Sequence, residues 1–452
     1  MRCLLTLVVV SLFNVFNAAA QDAARIKEEL QTINKTITIQ PCVGNNGKLI
    51  SNRAMNIFLA DKTSYASENG DLSYYTNYVT LQSNTGLISI NHNFQKATGI
   101  DEPLKNLFSV GFKANVADGF NASFTDKTFK NVLALTVNQT WLGKVTTRFT
   151  GCDPDPSNVG STNAINQKTA MDALRAGILN KLLVEIKDKE DALQKSLLLI
   201  DLATQLPGQN SETAKQIITN NFYDDLADEY REKYALLQAE TLTKTNYFKT
   251  ISTHWTSLIA FVPLAFPGYQ VASAFTAPIH KKHPYPAALS LSHTRFWESS
   301  KTGRLFLTLA ASLSMDNSIT SHQLQTTNFT DYKNLGGTDT LRFATIKNQE
   351  AYIGSYKHFV TPSIKARMVY FSHNSHVGLS FLVEQFLGTN KILNSRLGIP
   401  IILINSKKIP ALNIEMQVNF FDMTNQISSI SKLQNKSSVG VGIGFPMSRL
   451  MY

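Results

Sequence analysis

From Ala411 to Phe420 apolar and polar residues alternate without a break, with Leu412, Ile414, Met416, Val418 and Phe420 set against Asn413, Glu415, Gln417 and Asn419. The same period of two returns in Val439-Gly440-Val441-Gly442-Ile443-Gly444-Phe445 and in Leu305–Met315. It returns again where Ile364, Ala366, Met368 and Tyr370 are set against Lys365, Arg367, Val369 and Phe371, and in Leu397, Ile399, Ile401 and Leu403. Earlier in the chain Leu87–Phe94, Leu107–Val116 and Asn131–Trp141 alternate in the same way. This period sends successive side chains to opposite faces of a strand. The pattern predicts two strand-rich regions, residues 50–150 and 247–452.

Between them the spacing turns helical. Met171, Leu174, Ile178 and Leu182, then Leu193, Leu197 and Ile200, predict a helix over about residues 164–206. Pro207-Gly208 ends it, and Ser211 is a natural N-cap for a second helix carrying Ile217, Ile218, Phe222, Leu226, Tyr230 and Tyr234. Residues 160–246 therefore read as a helical hairpin inserted among strands. Its acids (Asp224, Asp225, Asp228, Glu229 and Glu232) read as a solvated face or as a docking face for basic loops or a protein partner. The polar stretch Asp316–Thr345 reads as a long loop.

The ends and the composition narrow the class. Residues 1–20 have the form of a secretory signal: Arg2, the apolar run Leu4–Phe13, then Ala18-Ala19-Ala20. Residues 21–49 follow as an N-terminal segment. No later stretch offers the about 20 apolar residues of a membrane-spanning helix. Hydrophobic residues are 43% of the chain and mean hydropathy is −0.10, which suits a barrel with every second residue polar. The net charge of +10 fits anionic lipid headgroups or a basic solvated surface, and an exported chain is not expected to meet nucleic acid. Cys42 and Cys152 form a candidate disulfide in an oxidising compartment. The expected fold is mainly β: a transmembrane antiparallel β-barrel of about 12–14 strands with an inserted α-helical hairpin.

The final stretch, ending at Tyr452, resembles the C-terminal strand of Gram-negative outer-membrane proteins, with Pro446 and Arg449 interrupting its alternation. The resemblance implies an outer-membrane location, contact with outer-membrane lipid, and recognition of that strand by the barrel-assembly machinery. The glycine-alternating strands, rich in Asn and Lys, resemble barrels of Bacteroidetes-type bacteria.

Candidate chemistry is sparse. His373 and Ser375 resemble the His-x-Ser pair of outer-membrane phospholipases and lipid A deacylases, in which histidine activates serine against an acyl ester. No orienting residue stands at the matching distance, and the alternation turns the pair away from lipid. The plainer reading is a polar turn. His280 and His283, like His373 and His376, lack ligand partners nearby, so neither a metal site nor any other cofactor is expected. Lys113, Lys365, Arg367 and Glu415 fall on the predicted lumen face, where charges tune a pore or pair into a plug. Tyr74, Tyr75, Tyr78, Trp141, Trp255, Trp297 and Tyr370 are candidates for interfacial girdles or for core packing. The readings that follow are a passive pore or a membrane scaffold for partner proteins, an acyl hydrolase, and a soluble exported surface or adhesion protein.

Overall fold

The computed structural model describes residues 26–34, 37, 49–63, 76–82, 87–94, 101–115, 124–125, 128–129, 133–148, 162–203, 211–245, 247–265, 268–319, 321, 323–334, 344–388, 391–405, 410–426 and 437–449. The signal segment, Cys42, Cys152, Tyr74, Tyr75, the Pro207-Gly208 turn and Tyr452 lie outside the described residues.

Twelve strands form one closed antiparallel barrel. In chain order they are β1 Thr76–Gln82, β2 Leu87–Phe94, β3 Asn106–Asn115, β4 Leu133–Leu142, β5 Thr250–Ala265 and β6 Ala288–Ser299. They continue with β7 Gly303–Asn317, β8 His358–Phe371, β9 Gly378–Phe386, β10 Leu393–Ile404, β11 Pro410–Phe420 and β12 Ser437–Arg449. Each strand pairs with its chain neighbour, β5 pairs with β6, and β12 returns to β1. Closure removes the free edges that an open sheet leaves unpaired.

The last strand runs through the interruption at Pro446 to Arg449. It accommodates Pro446 opposite Tyr78 through a register shift between Asn77 and Tyr78. A bulge is where a strand tolerates the missing proline N–H. In the β6–β7 turn, Ser299 Oγ accepts from the backbone N–H groups of Lys301 and Thr302. Gly303 follows at φ 100°, where a Cβ would collide with the Phe371 carbonyl.

Two expectations from sequence are corrected. Residues Asn52–Lys62, placed in the first strand-rich region, form a helix, α2. Ser51 caps it by accepting from Ala54 N–H at 3.2 Å. The stretch Asp316–Thr345 is not a bare loop. Gln325–Asn334 pairs with Ala344–Ile353, and Tyr269–Ala272 and His280–Lys282 complete a four-stranded sheet.

The helical part is a unit of its own, containing α1 (residues 26–34), most of α2, α3 (Thr162–Ala203) and α4 (Ser211–Thr245). Its core joins Ile26, Leu30 and Ile33 to Leu179, Leu182, Ile186, Leu193 and Leu197 of α3 and to Tyr223, Leu226, Tyr230 and Tyr234 of α4. The buried stripe differs from the one read in sequence. Leu174 and Ile217 face solvent, while Arg175 lies inside, donating to Leu49 O (2.6 Å) and Asn34 Oδ1 (3.1 Å). Glu229 pairs with Lys189 and Asp228 with Arg231, so part of the acidic face is used within the helices.

Candidate functional site

The barrel wall has two opposed surfaces. Outward stand Ile90, Phe94, Phe108 and Phe112 on β2–β3, and Leu289, Leu291, Leu307, Leu309, Leu313 and Met315 on β6–β7, all exposed. Ile364, Met368, Leu379, Phe381, Leu397, Ile399, Met416, Val418 and Val439 continue the surface on β8–β12, also exposed. A monomeric soluble protein rarely exposes a contiguous apolar surface of this extent. Inward stand Ser89, Asn93, Ser109, Thr136, Thr140, Ser257, Ser292, Thr294, Thr308, Ser363, Ser380, Asn413, Glu415, Gln417 and Asn419, all buried.

The inward groups bond to each other across strand boundaries. Thr140 meets Ser257 at 2.8 Å, Thr294 meets Thr308 at 2.9 Å, and Arg396 Nε donates to Asn419 Oδ1 at 2.6 Å. The lumen-face residues read from sequence occupy inward positions. Arg367 Nη2 lies 3.5 Å from Glu415 Oε2, and Lys365 Nζ lies 3.4 Å from Glu384 Oε1. Glu415 also accepts from Ser380 and, at 2.9 Å, from Gln417 Nε2. Lys113 shares the inward phase of β3 with buried Ser109. Buried charges in a low dielectric persist when paired and hydrogen-bonded in this way.

A second cluster, unread from sequence, sits inside the barrel at the start of β7. Glu298 Oε1 lies 3.2 Å from Lys62 Nζ, and its Oε2 lies 3.7 Å from Arg304 Nε. Arg304 also donates to the backbone oxygens of Lys62 (3.1 Å) and Ser375 (3.3 Å), and its guanidinium lies over the Phe371 ring. Phe296, Phe306, Phe371 and Trp255 are fully buried around this level. Residues 60–63, the end of α2, thus belong with the barrel and fill its interior there. Burial pushes the Lys62 ammonium below the usual lysine range, opposed by Glu298. The signal was present: Arg304 and Glu298 continue the inward phase of β7 and β6 by one step.

No protein-family model matches this chain, and no curated protein matches it.

His373 and Ser375 lie in the β8–β9 turn. Ser375 Oγ donates to Val377 O at 2.7 Å and accepts from Val377 N–H at 3.0 Å. The hydroxyl is thereby held by its own turn, with Asn374 at φ 56° beside it. Burial, then the charges of Arg304 and Lys62, hold the neighbouring His376 below the usual histidine range. Of the aromatic girdle candidates, Trp141 and Tyr370 face outward and are exposed, and Trp297 shares the outward phase. Trp255 and Tyr78 point inward and are buried. Tyr370 donates its hydroxyl to Thr302 O at 2.7 Å. Among the described residues, no group of three or more metal-ligating side chains forms, and no helix is long and apolar enough to cross a membrane.

Proposed function

We propose that this protein is an outer-membrane β-barrel of a Gram-negative envelope that anchors its helical unit at the membrane and does not act as a wide diffusion pore. One observation carries the reading: the outward wall is apolar and exposed, while the inward wall is polar, buried and paired with itself. The outward half of that pattern suits lipid, because only a closed set of backbone hydrogen bonds is stable in a bilayer. The inward half suits a filled interior, because the charges that line a water-filled pore have no need to bury against one another.

Sidedness follows from connection length. Short connections join β6 to β7, β8 to β9 and β10 to β11 at one end of the barrel, and the chain enters β1 and leaves β12 at that end. The helical insertion, between β4 and β5, also departs from it. The other end carries the β3–β4, β5–β6, β7–β8 and β11–β12 connections, each of 16 residues or more and including the four-stranded sheet, besides the short β1–β2 and β9–β10 connections. Outer-membrane barrels keep short turns in the periplasm and long loops outside. This supports a periplasmic helical unit, available to a protein partner, and an external accessory sheet.

The first test is to express the full chain, isolate outer membranes, and compare unboiled and boiled samples on one denaturing gel. A boiling-dependent mobility shift in that fraction is expected. A urea-extractable chain with no shift sinks the membrane reading in favour of a soluble exported protein. Purified barrel in planar bilayers is expected to carry no large steady current, and a stable ohmic conductance overturns the closed anchor in favour of a pore. The acyl-hydrolase reading has its own test: Ser375→Ala is expected to leave the lipid profile of the membrane unchanged.

A further inference from the structure

On two adjacent strands the apolar outer wall gives way to a patch of polar side chains. On β5 and β6 the outward positions His254, Thr256, His293 and Arg295 replace the Leu, Ile, Met and Phe of other strands. His293 stands opposite Leu309 of β7 in the sheet register, and Arg295 opposite Leu307. The change of chemistry is therefore local to this sector and not general to that height on the wall.

The four side chains form a cluster. Thr256 Oγ1 and His293 Nδ1 are 3.0 Å apart, and the His254 and His293 rings are 5.6 Å apart. The Arg295 guanidinium lies 5.5 Å from the Trp297 ring centroid. Trp141 pairs in register with Thr256 and is exposed beside it. Gly143 donates its N–H to the His254 carbonyl at 2.7 Å, and a Cβ on Gly143 would overlap the His254 ring. Among the described residues Arg295, His254 and His293 make no ion pair. His254, Thr256 and Arg295 lie in the halves of β5 and β6 nearest the short turns, and His293 stands at the middle of β6.

We propose that this sector binds the phosphodiester headgroup of an anionic phospholipid, with Arg295, His293 and His254 contacting the phosphate. The proposal rests on the membrane reading above. Arginine facing lipid is costly at mid-bilayer and tolerated near the headgroups. Here it is joined by two imidazoles and a hydroxyl, with no carboxylate to balance it, and flanked by tryptophans of the kind that settle at headgroup level. An anion with a lipid tail fits both parts of the sector: the phosphate meets the Arg295 guanidinium and the imidazoles beside it, and the chains run along Leu289, Leu291, Leu307 and Leu309.

The test uses full-length barrel extracted in neutral detergent, exposed to phosphatidylglycerol, phosphatidylcholine or inorganic phosphate, with retained lipid counted by native mass spectrometry. Wild type is expected to retain phosphatidylglycerol over phosphatidylcholine. Arg295→Leu combined with His293→Leu copies the facing leucines and so suits the wall. It is expected to lose about fivefold in phosphatidylglycerol retention, with the boiling-dependent gel shift unchanged. Arg295→Lys is expected to restore part of it. Equal retention by the double variant, equal retention of the two lipids, or displacement of lipid by inorganic phosphate overturns the proposal. Absence of the gel shift in wild type instead removes the membrane reading on which it stands.

Discussion

Arg175 shows how a polar side chain holds a place in an apolar stripe. Its guanidinium reaches Leu49 O and Asn34 Oδ1 and pairs with Asp172, so each of its nitrogens has a partner despite burial. Sequence periodicity places Leu174 in the stripe and leaves Arg175 out of it, because spacing cannot foresee a carbonyl more than a hundred residues away. Arg175→Ala is expected to destabilise the helical unit by about 2–3 kcal/mol, read as a lowered midpoint of helical ellipticity in urea. Tyr234 makes the opposite case. It is buried, its hydroxyl has no hydrogen-bond partner among the described residues, and burial pushes its pKa up to about 12. A raised folded pKa means that the neutral form contributes stability in full below the unfolded value of about 10. That stability is lost as pH climbs from 10 toward about 12. Tyr234→Phe is expected to flatten this alkaline loss in a pH titration of helix content. Gly398 is a third residue whose role is spatial: a Cβ there would lie 2.5 Å from Glu415 Oε1. Gly398→Ala is expected to push Glu415 off Arg367 and lower the temperature of the gel shift, at a cost of about 2 kcal/mol.

Among the elements, α2 was the hardest to read. Ala54, Met55, Ile57, Phe58, Leu59 and Ala60 are all buried, so the helix is apolar around most of its circumference and presents no 3.6-residue stripe. Its last turn ends on Lys62, whose carbonyl receives Arg304 and whose ammonium meets Glu298. Cations at a helix C-terminus are favourable, and Arg304 supplies one from the barrel wall. Glu298→Gln leaves Lys62 and Arg304 as two buried cations without their shared carboxylate. The expected outcome is release of residues 60–63 from the interior, seen as a rise in ion conductance over wild type in planar bilayers; an unaltered current trace would show that this contact does not hold the interior closed. The strands were far easier to read. Period two persists over whole strands such as β7 and β11, because one face is apolar and exposed and the other turns to the interior of the barrel.

For the whole molecule, strand number and sidedness are linked. Twelve strands put both ends of the barrel chain at the end with the short turns, and the connection 318–357 joins the other long connections. An uncertain strand count reverses loops between ends, since each miscounted strand flips everything beyond it. The resulting assignment is open to test: an epitope tag between Gln325–Asn334 and Ala344–Ile353 is expected to be labelled by antibody on intact cells. A tag between α3 and α4 is expected to be labelled only after the outer membrane is permeabilised, and the reverse pattern would invert the barrel.

The sequence alone determined that this chain alternates apolar and polar residues in two regions and carries a pair of long helices between them. Those features are local, set by side-chain periods of two and 3.6 and by residues such as Ser211 at a helix start. Tertiary structure decided the closure of β12 on β1, the pairing of Arg367 with Glu415 and of Glu298 with Lys62 and Arg304, and the pairing of Gln325–Asn334 with Ala344–Ile353 in a sheet. Each joins positions far apart in the chain, and register between strands is settled only when neighbours on both sides and the closed circuit are satisfied together. The polar sector at His254, His293 and Arg295 lies between these cases. Its residues are plain in the sequence, but adjacent strands must pair before they form one site.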